Sequence, residues 1–217
     1  FKQPFAAALF SASSHHPYVV PKKYEGKFPK GTLPIHQCIG YSDYALKRFF
    51  ETASREAWFN NTLFVITADH TNQTEHPEYM TESGTFAVPI IFYYPGGDLK
   101  GHIDAIAQQI DIMPTVLNYL GYDQPYVSFG CDLLTTPPAQ TYAVNYVNGV
   151  YQYHKGKYLL QFDGEKSIAF YDFVSDRLLE HNLLDSFPEL QTSMEAELKA
   201  MIQQYMVRMN TDRLTVN

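Results

Sequence analysis

The sequence predicts an α/β fold in which a mostly parallel sheet flanked by helices is followed by a small antiparallel meander covered by a helix. Short continuous apolar runs occupy residues 4–10, 63–66 and 88–94, and segments with apolar residues at helical spacing lie between and after them. Beyond residue 141 the chain changes to short apolar stretches separated by two-residue turn signals. Strands buried on both faces give continuous apolar runs, and their alternation with helices builds parallel sheets.

The first predicted strand covers residues 4–10, and a polar loop follows at 11–17. A Lys-, Pro- and Gly-rich loop then reaches Pro34. From Cys38 to Ala53 apolar residues recur with a helical period and charged residues fall mostly between them. We therefore expect a helix with one face on the sheet, leading into the second strand at residue 63.

The third predicted strand, residues 88–94, is stopped by a Pro-Gly-Gly sequence. The next helix is predicted to begin at Asp111, which can serve as its N-cap. Pro114 is tolerated in a first helical turn, and Gly121 fits the C-terminal stop.

Four short strands are predicted at 142–147, 150–154, 157–162 and 168–173, because Asn-Gly, Lys-Gly and Asp-Gly pairs separate them. A helix from about Pro188 carries an apolar stripe that we expect to cover this meander, the alternative being a partner or cofactor surface. The predicted division is an α/β core at residues 1–140 and a C-terminal subdomain at 141–217.

Composition sets the frame for function. The chain has 217 residues, of which 45% are hydrophobic, and a formal net charge of -7, which argues against a nucleic-acid-binding face. Cys38 and Cys131 are far apart and in no metal-ligand spacing, so we expect free thiols, with a single disulfide of an exported protein as the alternative. No stretch approaches the ~20 apolar residues of a membrane helix, and the N-terminus lacks signal-peptide features. We expect the chain to be the later part of a longer protein.

Asp69 and His70 stand side by side where the second predicted strand ends. Ligands of open α/β sheets bind beyond the carboxyl ends of the strands, and a carboxylate with a neutral imidazole suits Zn²⁺ or Mn²⁺. The pair is therefore the first candidate for metal ligation. An incidental Asp-His dipeptide is the alternative, since two residues supply only two ligands.

Histidines also occur in two further loops. His15 and His16 follow the first predicted strand, and His76 lies in the loop after His70. If the strands share one sheet, these loops converge at its edge, where the imidazoles could bind an anionic ester or protonate a leaving oxygen. Solvated surface histidines are the alternative.

Four segments, taken in order, resemble the sulfatases of the alkaline phosphatase superfamily: residues 41–46, 58–70, 88–93 and 111–115. The tail from residue 170 to 183 is similar to the sulfatase C-terminal pattern of a Tyr-Asp strand, a turn and an Asn-Leu pair. The resemblance extends from about Pro4 to Leu198. It implies the C-terminal portion of an alkaline phosphatase-like sandwich.

Within that superfamily, Ser-His-His-Pro-Tyr at residues 14–18 resembles the branch of lipoteichoic acid synthases and related phosphoglycerol transferases. The resemblance implies that Asp69 and His70 hold one divalent ion, which is Mn²⁺, Mg²⁺, Ca²⁺ or Zn²⁺ depending on the subgroup. It implies that His15 contacts the phosphate of the substrate. Many relatives carry a basic residue shortly before the Val-Pro pair, where this chain has Thr-Phe-Ala, and His76 is the residue expected to compensate.

The resemblance implies a metal-dependent enzyme that hydrolyses or transfers a sulfate or phosphate (phosphoglycerol-type) ester. The nucleophile and an acidic metal ligand of the family lie upstream of the matched segments and have no counterpart here, so this chain alone is expected to be catalytically incomplete. The expected partners are an anionic ester and an upstream segment of the same protein. In this branch such a segment can include membrane helices, and the resemblance implies an enzyme outside the cytoplasm. The alternative is an inactive sulfatase-like binding or scaffold domain.

Overall fold

The computed structural model describes residues 4–97 and 99–216 and confirms the α/β class. The described residues form two compact units. The first holds the chain through Phe64 together with residues between Tyr93 and Leu99, and the second holds Val65–Phe92 and the chain from Lys100 onward. The predicted division at residue 140 stays a prediction.

In the first unit the main element is helix α1, Ile35–Ala53, as the apolar spacing predicts. It buries Ile35, Cys38 and Ala53. Near its C-terminal end, the ring of Phe50 lies edge-on to that of Phe64, with centroids 5.1 Å apart. Aromatic packing therefore fixes the end of this helix against the start of the following strand.

The predicted strand at residues 4–10 is wrong. This segment has no regular secondary structure, and Leu9 and Phe10 are 81% and 80% exposed. An apolar run becomes a strand only when its backbone groups pair with a neighbour, and no ladder is formed here.

The two other predicted strands are present. Strand β1, Phe64–Thr67, and strand β2, Ile90–Tyr93, are hydrogen-bonded neighbours in a two-stranded sheet. Asp69 follows the end of β1, as the sequence predicts.

Helix α2, Ile112–Tyr119, is preceded by a 3₁₀ helix, Gln109–Asp111. Asp111 occupies the position before α2, but the predicted side-chain cap of this helix is wrong. Its carboxylate instead accepts hydrogen bonds from the backbone N–H groups of Gln108 and Cys131. Gly121 ends the helix with a φ of 71°, as expected of a glycine after a helix.

The antiparallel meander is confirmed. It has the order β3, Tyr142–Val147, β4, Val150–Lys155, β5, Tyr158–Phe162, and β6, Ser167–Asp172. Asn148 and Gly149 both have positive φ, 52° and 85°, as a two-residue hairpin with the twist of its strands requires.

Helix α3, Pro188–Asn210, covers this sheet, as predicted. Met194 and Leu198 are 1% and 0% exposed, and they join a buried cluster from β4, β5 and β6: Tyr153, Leu160, Phe162 and Phe170. At the edge of the cluster, Glu197 accepts hydrogen bonds from Lys155 and from the hydroxyl of Tyr153.

Both Cys38 and Cys131 are free, which confirms that expectation. Across residues 4–97 and 99–216, none of the helices combines the length and the apolar character needed to cross a membrane.

Candidate metal site

Asp69 and His70 lie at a recess of about 90 Å³ in the second unit. Its other lining residues come from β2 and the segment before it, from the segment that leads into the 3₁₀ helix before α2, and from β3. The remaining lining residues are Phe86, Val88, Ile90, Ala107, Gln108, Gln109, Ala143 and Asn145. The pair thus lines a small concave surface that also presents a few polar groups.

The two side chains are close and accessible. Nε2 of His70 lies 3.4 Å from Oδ2 of Asp69, and the side chains are 61% and 55% exposed. The other carboxylate oxygen, Oδ1, accepts the backbone N–H of His70 at 3.0 Å. One oxygen and one ring nitrogen therefore remain side by side and available to a cation.

The tautomer of His70 follows from its neighbour. Nδ1 is 2.6 Å from the carbonyl oxygen of Thr71. A carbonyl oxygen can only accept, so Nδ1 carries the hydrogen and, in the neutral ring, Nε2 carries a lone pair. Metal-binding histidines commonly use their second nitrogen in this way.

The backbone before His70 is held by Gln109. Its side-chain amide donates to the carbonyls of Ala68, at 2.6 Å, and Asp69, at 2.9 Å. Gln109 begins the 3₁₀ helix Gln109–Asp111, and the buried carboxylate of Asp111 stabilises this helix through its backbone hydrogen bonds. Burial raises the pKa of Asp111, although the two backbone N–H bonds act in the opposite direction.

The donor set fits two positions of a divalent-metal site. Carboxylate oxygen and neutral imidazole nitrogen are common ligands of Zn²⁺ and Mn²⁺. Within the described ranges, 4–97 and 99–216, no group of three or more His, Cys, Asp and Glu side chains is arranged to hold a metal ion.

The two predicted substrate histidines are not among the residues that line the recess. His76 precedes a 3₁₀ helix, Pro77–Tyr79, and its ring lies edge-on to Tyr79 with centroids 6.3 Å apart. His15 belongs to the first unit, and its Nδ1 donates to the carbonyl of His16 at 2.8 Å.

A larger groove, of about 660 Å³, shares four lining residues with the recess: Phe86, Ala107, Ala143 and Asn145. Its charged lining residues are Glu78, Asp104 and Arg177. Arg177 lies 3.7 Å from the carboxylate of Glu78, so this cation is already partly neutralised. The groove extends the recess with a mixed apolar and polar surface.

Three residues at the site have no role in the sequence-based prediction of the site: Gln109, Thr71 and Ser83. Gln109 and Thr71 hold the backbone on either side of Asp69 and His70. Ser83 donates to or accepts from Nε2 of buried His154 at 2.6 Å. No local sequence pattern marks these three residues, because their contacts join segments that are distant in the sequence.

The sequence model of the Sulfatase family matches residues 2–122, which is more than half of the chain. The chain belongs to the sulfatase family. This membership confirms the resemblance on which the predicted fold rests, and it makes this chain one of a family of sulfate and phosphate ester enzymes.

Among curated relatives, the sulfatase chain is 30% identical over 162 residues to lipoteichoic acid synthase 1 of Bacillus subtilis, covering 65% of this chain and 25% of that protein. It is 25% identical over 177 residues to lipoteichoic acid synthase of Staphylococcus aureus, covering 72% and 27%. The chain thus spans about a quarter of the length of these relatives.

Solved structures support the same fold for this sulfatase chain. A protein of the alkaline phosphatase superfamily from Vibrio parahaemolyticus superposes with a TM-score of 0.61 at 25% identity, covering 85% of this chain and 49% of that one. The phosphonate monoester hydrolase of Agrobacterium radiobacter gives a TM-score of 0.58 at 16% identity, covering 79% and 41%.

Proposed function

We propose that this chain is part of a metal-dependent enzyme that hydrolyses or transfers a sulfate or phosphate ester of the phosphoglycerol type, with Asp69 and His70 as two ligands of one divalent ion. The observation that carries the proposal is the placement of Nε2 of His70 3.4 Å from Oδ2 of Asp69, at the mouth of the recess that follows β1. Membership of the sulfatase family and the similarity to lipoteichoic acid synthases support it.

In this proposal each residue of the chain has one task. Asp69 supplies a charged oxygen and His70 a neutral nitrogen, and a divalent ion bound there would lower the pKa of a hydroxyl nucleophile and neutralise developing charge. Gln109 keeps the backbone of the pair in place. His15 and His76 hold the anionic group of the ester or donate a proton to its leaving oxygen.

The remaining metal ligands and the nucleophile come from an upstream segment of the same protein. Two ligands do not complete a divalent-metal site, and the curated relatives are about four times as long as the part matched here. By the same resemblance we place the enzyme outside the cytoplasm, anchored through that segment. Nucleic acid is not among its partners, in keeping with the net charge of -7.

Metal analysis of the complete protein tests the proposal. The wild type, Asp69→Asn and the control Asp123→Asn would be dialysed against chelator, reloaded with Mn²⁺ or Zn²⁺ and measured for bound metal by mass spectrometry. Asp123 is a matched control because it is exposed and its carboxylate accepts a hydrogen bond from the side chain of the neighbouring Gln124.

We expect bound metal in the wild type and the control and its loss in Asp69→Asn, because an amide is a weaker, uncharged ligand. Turnover of p-nitrophenyl sulfate, p-nitrophenyl phosphate and bis-p-nitrophenyl phosphate should fall with the metal. Undiminished metal in Asp69→Asn would overturn the assignment of ligands. Metal binding without turnover of any ester by the wild type would favour the inactive binding domain.

A further inference from the structure

The side chain of His70 is held by the residue that follows it. The hydrogen bond from Nδ1 to the Thr71 carbonyl, at 2.6 Å, leaves Nε2 beside Asp69. The ring is more than half exposed, so packing does little to hold it and this bond has to define its orientation. The contacts that fix the peptide of Thr71 therefore also fix the position of Nε2 of His70.

Thr71 begins a loop and is held by a hydrogen bond to a residue at the other end of that loop. Its hydroxyl donates to the carbonyl of Thr85, which lies in the 3₁₀ helix Gly84–Phe86. That helix is itself tied down, since the Thr85 hydroxyl donates to the Glu82 carbonyl at 2.9 Å and the Gly84 N–H donates to the Thr81 hydroxyl, also at 2.9 Å.

The same turn allows no side chain at its first residue. A Cβ at Gly84 would lie 2.0 Å from the carbonyl oxygen of Glu78, which is impossible without moving the backbone. The 3₁₀ helix Gly84–Phe86 thus packs directly on the backbone of the middle of the loop at Glu78. The loop that starts at Thr71 is therefore closed by specific contacts.

The turn is anchored to the meander through Ser83. Its hydroxyl lies 2.6 Å from Nε2 of His154, a residue of β4 that is 7% exposed and packs edge-on against Phe173. Burial lowers the pKa of His154 to about 4, so the ring is neutral at neutral pH. The contact with Ser83 pairs Nε2 of this buried ring, which would lose free energy if that nitrogen were left without a partner.

We propose that Thr71, Thr85 and Ser83 are positioning residues that connect His154 of the meander to the ring of His70. Ser83 anchors the turn to β4, the Thr85 carbonyl holds the Thr71 hydroxyl, and the Thr71 carbonyl holds Nδ1 of His70. The effect is to present Nε2 unprotonated. The use of that nitrogen for a metal rests on the proposed function, whereas the tautomer does not.

The test reads the tautomer directly, without metal. Long-range proton–nitrogen NMR spectra of the chain at about pH 8, above the ordinary imidazole pKa, report which ring nitrogen carries hydrogen. His70→Gln assigns the signals. In the wild type we expect the hydrogen of His70 on Nδ1.

Thr71→Val removes the hydroxyl while keeping the branched shape, and Thr71→Ser restores the hydroxyl. We expect Thr71→Val to convert His70 to a mixture of tautomers, and Thr71→Ser to resemble the wild type. Ser83→Ala should also convert His70 to a mixture of tautomers, although Ser83 lies at the other end of the loop. Ser83→Thr is its conservative control. Backbone spectra show that each variant remains folded.

Metal affinity of the complete protein is the second readout. Thr71→Val should weaken binding of Mn²⁺ by roughly 10-fold, the lower end of the effect of removing an outer-sphere contact. A wild-type tautomer in both Thr71→Val and Ser83→Ala would overturn the inference. A changed tautomer in a protein whose wild type binds no metal would leave the positioning role standing and remove the proposed function.

Discussion

Replacing Asp111 by Asn should destabilise the protein even though it removes a buried charge. Asp111 is 0% exposed, and its two carboxylate oxygens accept backbone N–H bonds from Gln108 and Cys131, both at 2.8 Å. An Asn side chain has one oxygen and one NH₂ group. One of the two N–H donors must then face another donor.

The magnitude follows from two opposing effects. A buried N–H left without an acceptor costs roughly 1–3 kcal/mol, and the lost bond had a charged acceptor. Removing the charge recovers part of this, since burial raises the pKa of Asp111 and so disfavours its ionised form. We expect a net loss of about 1–2 kcal/mol for Asp111→Asn, and roughly twice as much for Asp111→Ala, which loses both bonds.

The pH dependence has a defined sign. A carboxyl whose folded-state pKa is raised above its ordinary value of 3.8 favours the folded state when protonated, and this contribution is lost as the pH rises through the folded-state pKa. The Asn variant has no such loss. The difference in free energy of unfolding between wild type and Asp111→Asn should therefore be largest in acid and shrink as the pH rises through the raised pKa.

Urea unfolding followed by far-UV circular dichroism measures this difference, with equal m-values as the check that the unfolded state is unchanged. Asp123→Asn, at an exposed site, should stay within about 0.5 kcal/mol of the wild type. An Asp111→Asn variant as stable as the wild type at neutral pH would show that removing the buried charge recovers as much free energy as the lost N–H bond costs. A difference that grows with pH would refute the assigned direction of the pKa.

Two further predictions concern the site and the core. Gln109→Leu removes both amide donors from the carbonyls before His70 and should weaken divalent-metal binding by the complete protein by roughly 10-fold in calorimetry, whereas Gln124→Leu should leave it unchanged; equal affinities would remove Gln109 from the site. Leu198→Ala should lower the free energy of unfolding by about 2–5 kcal/mol because this side chain is 0% exposed, against less than ~1 kcal/mol for Leu190→Ala at 38% exposure on the same helix. Similar losses for the two leucines would contradict the packing of α3 on the sheet.

Elements defined by local patterns could be predicted from the sequence. The meander was predictable because Asn148-Gly149 needs positive φ at both residues, and these two residue types adopt it most readily. Helix α3 was predictable from its apolar stripe. The position of Asp69 and His70 just after β1 was predictable for the same reason, since a short apolar run that ends in polar residues locates the end of a strand.

Contacts between distant residues could not be predicted in this way. The bond from Gln109 to Ala68 spans 41 residues, and the bond between Ser83 and His154 spans 71. The predicted strand at 4–10 failed for a related reason, because strand formation requires a pairing partner that periodicity does not reveal. A side chain that holds another residue in place has no sequence signature of its own until the fold brings the two together.

The contacts around His70 also determine how Nε2 of its ring and Oδ2 of Asp69 can interact with a cation. With its hydrogen on Nδ1, the neutral ring presents a lone pair on Nε2 to Oδ2 of Asp69, 3.4 Å away. Two acceptors at that distance repel unless a positive charge lies between them, and either a proton or a metal cation can supply it. The backbone nevertheless holds this arrangement from both sides, through Gln109 and Thr71. A metal cation bound between Nε2 and Oδ2 would remove this repulsion, and this arrangement is what the proposed metal site requires.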